Sequence, residues 1–442
     1  MTYRTDMIAP AGPAARAAAG NVGKSGNKLA DGVLSGYEWS SNSITYAFPD
    51  SKRDYGYKGE RDHGFDGVNG KIQNAVRMIL DKDFGPSAND AFSLEGFTLL
   101  DVSKGSDKQA DLRYAESKSA NPTAYAYYPA DVAIGGDVWF GKDPVYEKPV
   151  VGNYAYATIL HETGHALGLK HGHDAARFDR IKTTLEGKYD SLEYSVMTYH
   201  SYAGQKGGGG YTNEQHGFPQ TFMMADILAL QHMYGADYTA NGGDTVYSWK
   251  PGSGNTLVNG AVGTDPGKNR IFATIWDGGG EDTYDLSAYS TNLSIDLRPG
   301  QSSVFKKGQL ADLDQFSGNK NRIADGNIYN ALLYEGNTGS LIENAIGGAG
   351  NDRLRGNSAD NELTGNGGKD IFIFRTGGGS DTITDFGGGD RIDLAGMGLD
   401  FLDIQNKGAD SGGNFVITFG GGDVLTLLNV DEGNLAPSHF IL

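Results

Sequence analysis

The sequence predicts an α+β domain followed by an all-β domain. Apolar residues at helical spacing occur only before about residue 240 of the 442 residues. Beyond that point, short apolar pairs alternate with clusters of glycine, aspartate and asparagine, a pattern typical of short strands joined by tight turns. The 67 glycines make up roughly 15% of the chain, where about 7% is usual. We therefore divide the chain into residues 21–240 and 241–442, preceded by an Ala-rich segment, residues 1–20, that we expect to be a flexible leader or pro-segment.

The first region contains the patterns of two strands and three helices. Residues 43–48 alternate polar and apolar side chains and end at a proline, as a strand does. Residues 133–140 also have the composition of a strand, and we expect this strand to form an exposed sheet edge. The three helices are predicted where apolar side chains recur every three or four positions, at residues 68–84, 154–169 and 221–234.

Composition excludes several classes of protein. The 37 basic and 55 acidic side chains give a net charge of −18, which opposes binding to nucleic acid. The absence of cysteine excludes disulfide scaffolds, cysteine-ligated metals and thiol catalysis. No apolar run is long enough for a transmembrane helix, so no insertion into a membrane is expected. The first twenty residues lack the pattern of a signal peptide, which by itself favours a cytosolic protein.

Three of the nine histidines fall in one eleven-residue string, HETGHALGLKH. His161 and His165 stand four residues apart on a predicted helix, so their imidazoles project from one face and can share a zinc ion. Gly168 allows a sharp turn that returns His171 as a third ligand. Three protein ligands leave the fourth position to water, as in catalytic zinc sites. Glu162 is placed to take the proton of that water. The alternative is a surface helix that carries histidines by chance.

The string resembles the zinc signature of the metzincin metalloproteases, and the sequence SVMTY at residues 195–199 resembles their Met-turn. Considered alone, Met197 would be an ordinary core residue; the resemblance implies that it lies beneath the metal. It also implies that Tyr199 is an additional zinc ligand that can stabilise the transition state. His173 stands where the family has another residue type, and it is a rival ligand.

The sequence GGAGNDRL at residues 347–354 fits the nonapeptide repeat of calcium-binding parallel β-rolls. Further copies follow at nine-residue offsets, so that Asp352 and Asp370 share one side of such a roll, and Glu343 and Asn361 share the other. Together, the string, the turn and the repeats resemble serralysin-type proteases. This resemblance implies a metzincin catalytic domain followed by an RTX β-roll or β-sandwich domain.

The same resemblance implies that Ca²⁺ is bound at three places in the second region. Glycines in the turns are expected because carbonyl groups must turn towards the cation, which requires φ values that glycine adopts most easily. For the last of the three places, solvated turn aspartates are an equal alternative. The ligand candidates are Asn241, Gly243, Thr245, Asp277, Gly279, Gly280 and Asp282 near the domain boundary; Glu343, Gly348, Gly350, Asp352, Gly365, Gly367 and Asp370 in the repeats; and Asp381, Asp385, Asp390 and Asp393 beyond them.

The resemblance implies a secreted, monomeric zinc endopeptidase that hydrolyses extracellular proteins, with one catalytic Zn²⁺ and several structural Ca²⁺. It implies export by an ABC-type (type I) exporter without a cleavable signal peptide, read from the hydrophobic C-terminal residues 438–442. A small periplasmic protein inhibitor is a further partner of such enzymes. Two alternatives stay open at the level of sequence: a non-enzymatic RTX adhesin or surface protein with a decayed metal site, and a metzincin with one dedicated target.

Overall fold

The computed structural model describes residues 16–206, 210–318 and 322–442. The chain divides into two compact units at Asp237, close to the boundary predicted near residue 240. The first unit also takes in two later segments, Phe272–Thr274 and Ala311–Ala324. The second comprises Tyr238–Ile271, Ile275–Leu310 and Asp325–Leu442. None of the helices in the described ranges has the length and apolar character needed to cross a bilayer.

The described residues before residue 238 form five α-helices and eight strands. The helices are α1 Lys28–Val33, α2 Gly70–Leu80, α3 Leu94–Phe97, α4 Tyr154–Ala166 and α5 Met224–Tyr234. The strands are β1 Ala19–Gly20, β2 Glu38–Trp39, β3 Ser43–Ala47, β4 Asp66–Gly67, β5 Asp101–Lys104, β6 Leu112–Glu116, β7 Ala124–Ala126 and β8 Asp137–Phe140. The three predicted helices and the predicted strand at residues 43–48 are confirmed, with slightly shorter bounds.

The main sheet of this unit has the order β5-β3-β6-β8-β7, with β4 paired to β6. Strands β5, β3, β6 and β8 run parallel, and β7 pairs antiparallel with β8. The expectation that residues 133–140 form a sheet edge is therefore wrong, because β7 covers β8 on its outer side. The edge is β7, which at three residues is too short to show an alternating pattern in the sequence.

Helix α4 carries the histidine string and is buried on all sides. The side chain of Asn153 caps its first turn by accepting a hydrogen bond from the N–H of Tyr156 at 2.9 Å. Every residue from Ala155 to Ala166 is buried. A helix without a polar face is held by its surroundings, so the polar side chains within it are fixed in position.

Residues 16–20 were expected to belong to a flexible leader, but they are packed. Strand β1 pairs antiparallel with β2. The Arg16 guanidinium lies 3.2 Å from the buried carboxylate of Asp137, which also accepts two hydrogen bonds from Arg113 at 2.7 Å. The rest of the expected leader, residues 1–15, lies outside the described residues.

From residue 238 onwards the described residues form short strands, short 3-10 helices and one α-helix. The expectation of an all-β region is wrong at this helix, α6 Phe401–Lys407, which begins at an Asp400 cap. The strands are β9 Val246–Ser248, β10 Thr256–Val258, β11 Ala261–Thr264, β12 Ala273–Ile275, β13 Thr283–Asp285, β14 Ser294–Asp296, β15 Ser302–Ser303, β16 Ile328–Asn330, β17 Asn344–Ile346, β18 Arg353–Arg355, β19 Glu362–Thr364, β20 Ile371–Ile373, β21 Ser380–Ile383, β22 Arg391–Asp393, β23 Gly408–Ser411, β24 Asn414–Thr418, β25 Val424–Leu427 and β26 Phe440–Ile441.

Strands β17 to β22 alternate between two parallel arrangements. β17, β19 and β21 are neighbours in a ten-stranded sheet, whereas β18, β20 and β22 are neighbours in a five-stranded sheet. Partners in register are at first 18 residues apart, since Leu354 faces Phe372, and then 20 apart, since Phe372 faces Ile392. The central residues of β17, β18, β19, β20 and β22 are buried and apolar, and β21 buries Ile383, so both sets of strands contribute apolar side chains to the interior.

Candidate metal centre

The three histidines of the string meet at one point in the first unit. His161 and His165 project from one face of α4, and their ring centroids are 4.6 Å apart. The ring of His171 lies 5.2 Å from that of His161 and 4.8 Å from that of His165. All three are buried, and one ring nitrogen of each lies within 4.8 Å of the other two. This spacing allows the three imidazoles to bind a single metal ion.

A turn at Gly168 brings His171 back to the other two histidines. Its φ of 110° lies in the region that favours glycine. A Cβ atom at this position would also lie 2.1 Å from the carbonyl oxygen of Tyr37. No other residue type fits here, so the turn predicted from the sequence depends on glycine for both reasons.

Backbone carbonyl groups orient two of the imidazoles. Nδ1 of His161 is 2.8 Å from the carbonyl oxygen of Val196, and Nδ1 of His165 is 2.7 Å from that of Leu169. Because a carbonyl oxygen only accepts, each Nδ1 carries the hydrogen and each Nε2 keeps its lone pair. This is the arrangement that metal-binding histidines use.

The protonation states also fit a metal ion. Burial lowers the pKa of His165 to about 4 and the pKa of His161 and His171 well below the usual value. The rings are therefore neutral at neutral pH, as metal binding requires. Nε2 of His161 is buried and makes no hydrogen bond to any described residue. A buried nitrogen in this state is costly unless a partner such as a metal ion occupies the site.

Glu162 stands beside the first histidine with its carboxylate buried. Neither of its carboxylate oxygens has a hydrogen-bond partner among the described residues. Burial raises its pKa to about 8, so that the group exchanges protons near neutral pH. A carboxyl group with this pKa can act as a general base and then as a general acid.

Met197 packs directly against α4. The side chain is completely buried, and a Cβ atom at Gly164 would lie 2.7 Å from its sulfur atom. A glycine inside a helix lowers its stability, and here it leaves room for the methionine. The structure thus places Met197 against the helix turn that carries the first two histidines.

Asp226, which the sequence analysis missed, holds the segment that contains Met197. Its carboxylate accepts hydrogen bonds from the hydroxyl of Ser195 at 2.6 Å and from the N–H groups of Val196 at 2.8 Å and Met223 at 3.0 Å. Burial raises the pKa of Asp226 to about 7. In the sequence, Asp226 is a single acid at the start of an apolar helix. The sequence does not distinguish it from an acid that only caps the first turn.

Tyr199 and His173 lie next to the three histidines. The ring of Tyr199 is centred 4.3 Å from that of His171 and 5.6 Å from that of His161. Nδ1 of His173 accepts a hydrogen bond from the N–H of Tyr199 at 3.2 Å. Among the described residues, the histidine group that could hold a metal ion is His161, His165 and His171. His173 therefore supports the backbone at Tyr199, and this arrangement does not favour it as a ligand.

The candidates near the domain boundary come together in the second unit. Asp282 accepts a hydrogen bond from the N–H of Thr245 at 2.8 Å, and its own N–H donates to Glu343 at 2.8 Å. Asp277 accepts from the hydroxyl of Tyr247 at 2.7 Å. Burial raises the pKa of all three carboxyl groups, to about 7 for Glu343, and Asp277 further raises the pKa of Asp282. A group of carboxylates with raised pKa values is stabilised by a cation.

The remaining candidates of this group lie on the two turns beside those carboxylates. The carbonyl of Gly243 accepts from the Thr245 hydroxyl at 2.8 Å, and the N–H of Gly279 donates to Asp277 at 2.8 Å. Asn241 donates to the Tyr247 hydroxyl at 2.9 Å. A Cβ atom at Gly280 would lie 2.6 Å from the backbone of Gly243, so the two turns approach each other closely.

The repeat aspartates form a row. The N–H of Asp352 donates to Asp370 at 2.8 Å, and the N–H of Asp370 donates to Asp390 at 2.8 Å. The N–H of Gly348 donates to Asp352 at 2.7 Å. One oxygen of Asp370 is buried and without a hydrogen-bond partner among the described residues. Burial raises the pKa of Asp370 to about 7.

The repeat glycines are required for a different reason from the one expected. Gly348, Gly350, Gly365 and Gly367 do not have positive φ values. A Cβ atom would instead lie 2.3 Å from a carbonyl oxygen at Gly348, 2.4 Å from one at Gly350 and 2.5 Å from the Asp370 carboxylate at Gly365. The space beside three of these glycines is therefore filled by the neighbouring turn or by a carboxylate, and only Gly367 is open, with its nearest atom at 3.7 Å.

Asp393 does not join the aspartate row. It is the last residue of β22, where its carboxylate lies 2.9 Å from Arg375 and 3.6 Å from Arg353. These ion pairs do not favour Asp393 as a calcium ligand. Asp385, another candidate of this group, lies beside the row, since it accepts hydrogen bonds from the N–H groups of Gly365 at 2.9 Å and Asn366 at 2.7 Å.

Comparisons with known proteins find serralysins. Residues 236–441 match the family described as Peptidase M10 serralysin C terminal. This C-terminal region is of the serralysin type. The chain is 32% identical over 332 residues to a serralysin of Proteus mirabilis, a match that covers 72% of this chain and 60% of the relative. It is 28% identical over 384 residues to metallopeptidase AprA of Pseudomonas marginalis, covering 78% and 73%. It is 36% identical over 234 residues to serralysin C of Dickeya chrysanthemi, covering 52% and 42%.

Two of these relatives are named serralysins and one is named a metallopeptidase, and this chain contains a histidine cluster suited to a metal ion. The chain spans less than two thirds of the length of several of these relatives, among them the Proteus mirabilis serralysin.

Proposed function

We propose that the protein is a secreted zinc endopeptidase that hydrolyses peptide bonds of extracellular proteins and is stabilised by calcium. The observation that carries this proposal is the convergence of three buried, neutral imidazoles beside a buried carboxyl group. His161, His165 and His171 would hold the zinc ion. When bound, zinc supplies polarisation of the scissile carbonyl and acidification of a water molecule.

The residues around the metal perform the proton transfers. Glu162, with a pKa of about 8, takes the proton of the attacking water and later delivers it to the leaving amine. The ring of Tyr199, 4.3 Å from His171, is close enough for its hydroxyl to stabilise the oxyanion of the transition state. Asp226 acts indirectly, because it holds Val196, whose carbonyl orients His161.

Substrate would bind in extended form along β7. This strand is the outer strand of the main sheet, so its outward-facing backbone groups can pair with a peptide. Its position also suits the chemistry, since the ring of Tyr128, two residues after β7, is centred 5.8 Å from that of His165. Pairing through the main chain tolerates many sequences, which favours a broad protease over one with a dedicated target.

We propose further that the first unit is a metzincin domain and the second an RTX β-roll that binds calcium. Support comes from the alternating parallel strands and from the carboxyl groups with raised pKa values, including Asp282 and Asp370. In low calcium these groups oppose folding at neutral pH, which suits export in an unfolded state through an ABC-type (type I) exporter. A small periplasmic protein inhibitor would bind where the substrate binds, along β7.

The direct test is Glu162→Gln in the full-length protein, with Glu116→Gln on β6 as control. We expect Glu162→Gln to keep its zinc and to lose casein hydrolysis by a factor of about 10² to 10⁴, because the proton acceptor is gone. Zinc is measured by atomic absorption, and the parent activity is tested with 1,10-phenanthroline. Activity that survives both the substitution and the chelator would contradict the proposal. Bound zinc with no proteolysis in the parent protein would favour the non-enzymatic calcium-binding alternative.

A further inference from the structure

The second unit contains a cavity of about 250 Å³ that none of the sites above uses. It lies at the carboxyl ends of neighbouring parallel strands. The last residues of β14, β18, β20 and β22 are in register, so that Asp296, Arg355, Ile373 and Asp393 follow one another across the sheet. The chain that leaves three of these strands lines the cavity.

Three arginines line this cavity: Arg298, Arg355 and Arg375. The outer two are held by carboxylates. Arg298 donates to Asp296 at 2.9 and 2.6 Å, and Arg375 donates to Asp393 at 2.9 Å. These ion pairs fix the two guanidinium groups while leaving each of them with unused N–H donors.

Arg355 lies between them and is attracted at longer range by the same two carboxylates, Asp296 and Asp393. Its guanidinium makes no hydrogen bond or ion pair with any described residue, although its backbone is fixed in β18. Burial and the charges of Arg298 and Arg375 lower its pKa, and the attraction of Asp296 and Asp393 offsets this only in part. A bound anion would stabilise a partly buried cation that is repelled by two others.

Three guanidinium groups and one carboxyl group, that of Asp381, line the cavity, so its lining has an excess of positive groups. Two of the guanidinium groups are ion-paired with Asp296 and Asp393. Asp381 accepts a hydrogen bond from the N–H of Asn361 at 3.0 Å, and burial raises its pKa to about 7. The whole chain has a net charge of −18, so the positive charge of this cavity is a local feature and not a consequence of a basic protein.

We propose that this cavity binds a small, soluble phosphate monoester. Guanidinium groups match phosphate oxygens through paired N–H donors, and a phosphate monoester presents three terminal oxygens to the three arginines. The remaining walls are polar or small, with Asn357, Ser358 and Thr376 as further donors and glycines that leave space near the backbone. The site is independent of the proposed protease activity.

The experiment is a calorimetric titration of the full-length, calcium-supplemented protein with glycerol 3-phosphate, which, unlike inorganic phosphate, does not precipitate with calcium. We expect saturable binding that Arg355→Gln weakens at least about tenfold. The matched control is Arg391→Gln, because Arg391 lies on β22 of the same sheet, loses the same charge and does not line the cavity. It should bind like the parent protein. Arg355→Lys should bind with intermediate affinity, since the charge remains without the paired donors.

Several outcomes would overturn the proposal. They are the absence of binding up to roughly 10 mM ligand, equal weakening by the two glutamine variants, or equally strong binding of acetate, which lacks the third oxygen. Binding only to vesicles that contain phosphatidic acid, and not to glycerol 3-phosphate, would also contradict a soluble ligand. Circular dichroism of each variant separates lost binding from lost folding.

Discussion

Replacing Asp226 should affect the metal centre without touching it. The carboxylate is fully buried and accepts hydrogen bonds from Ser195, Val196 and Met223. Asp226→Ala leaves two backbone N–H groups buried without acceptors, at about 1–3 kcal/mol each. We therefore expect a loss of about 2–6 kcal/mol in the free energy of unfolding. The Ser195 hydroxyl can rotate and adds little.

Asp226→Asn should be tolerated, because an amide imitates the protonated acid. Its oxygen can accept from both N–H groups, and its nitrogen can donate to the Ser195 hydroxyl. Since burial raises the pKa of Asp226 to about 7, its contribution to stability is fully present below about pH 4 and is lost as the pH rises through 7. The asparagine variant should lack this part of the pH dependence.

Asp226→Ala and Asp226→Asn should differ in their affinity for zinc. Val196, which Asp226 holds through its N–H, orients His161 through its carbonyl. Loss of such an orienting contact typically costs 10- to 100-fold in metal affinity, so we expect this loss in Asp226→Ala and little change in Asp226→Asn. The control is Asp403→Ala, which removes an acid at the same position of the capping box of α6, far along the chain from the histidines.

The measurements are competition with a fluorescent zinc chelator and urea unfolding of the full-length, metal-free protein. If Asp226→Ala kept the zinc affinity of the wild type and its free energy of unfolding changed by less than about 0.5 kcal/mol, the proposed role of Asp226 would be refuted. Equal effects of the Asp226→Ala and Asp403→Ala variants on zinc would refute the link through Val196.

Three further outcomes are expected. Tyr199→Phe should lower kcat for a peptide substrate about 100-fold with zinc content unchanged, and full activity in this variant would remove Tyr199 from the mechanism. Gly365→Ala should lower the free energy of unfolding by about 1–3 kcal/mol, measured by thermal unfolding with calcium, because its Cβ would lie 2.5 Å from Asp370. Gly367→Ala should not lower it, since the nearest atom is 3.7 Å away. Similar losses in both variants would contradict the steric argument. In EGTA, the melting temperature should fall as the pH rises from about 5 to 8, because the raised pKa values of Asp282 and Asp370 give stability that is lost as these groups ionise. Added calcium should reverse this trend. A melting temperature that does not change with pH in EGTA would contradict the prediction.

The histidine cluster was accessible from sequence because it is local. His161 and His165 come from one helix, and His171 follows one turn later through Gly168. Helical spacing and one glycine therefore determine its geometry. Asp226 was not accessible, since it reaches the site from another helix, and a single acid near a helix start has a simpler explanation as a capping residue.

Repeat spacing had a similar limit. A strict nine-residue phase aligns Asp352 with Asp370, and the structure brings them together. The next partner lies 20 residues further on, at Asp390, which no constant period predicts. That longer step also left the role of Asp393 open in the sequence, although the structure pairs it with Arg375. The short edge strand β7 was missed because three residues carry no detectable periodicity.

The acceptors that orient His161 and His165 belong to the main chain, at Val196 and Leu169. No point substitution deletes a carbonyl group, so these two orienting bonds persist whatever side chains those positions carry. Random mutagenesis for weakened metal affinity should therefore yield few hits at Val196 or Leu169. The hits should concentrate at residues that set the path of the backbone, such as Gly168. Substitutions at Val196 and Leu169 should therefore leave the orientation of the metal ligands intact, whereas substitutions at the turn, such as at Gly168, should disturb it.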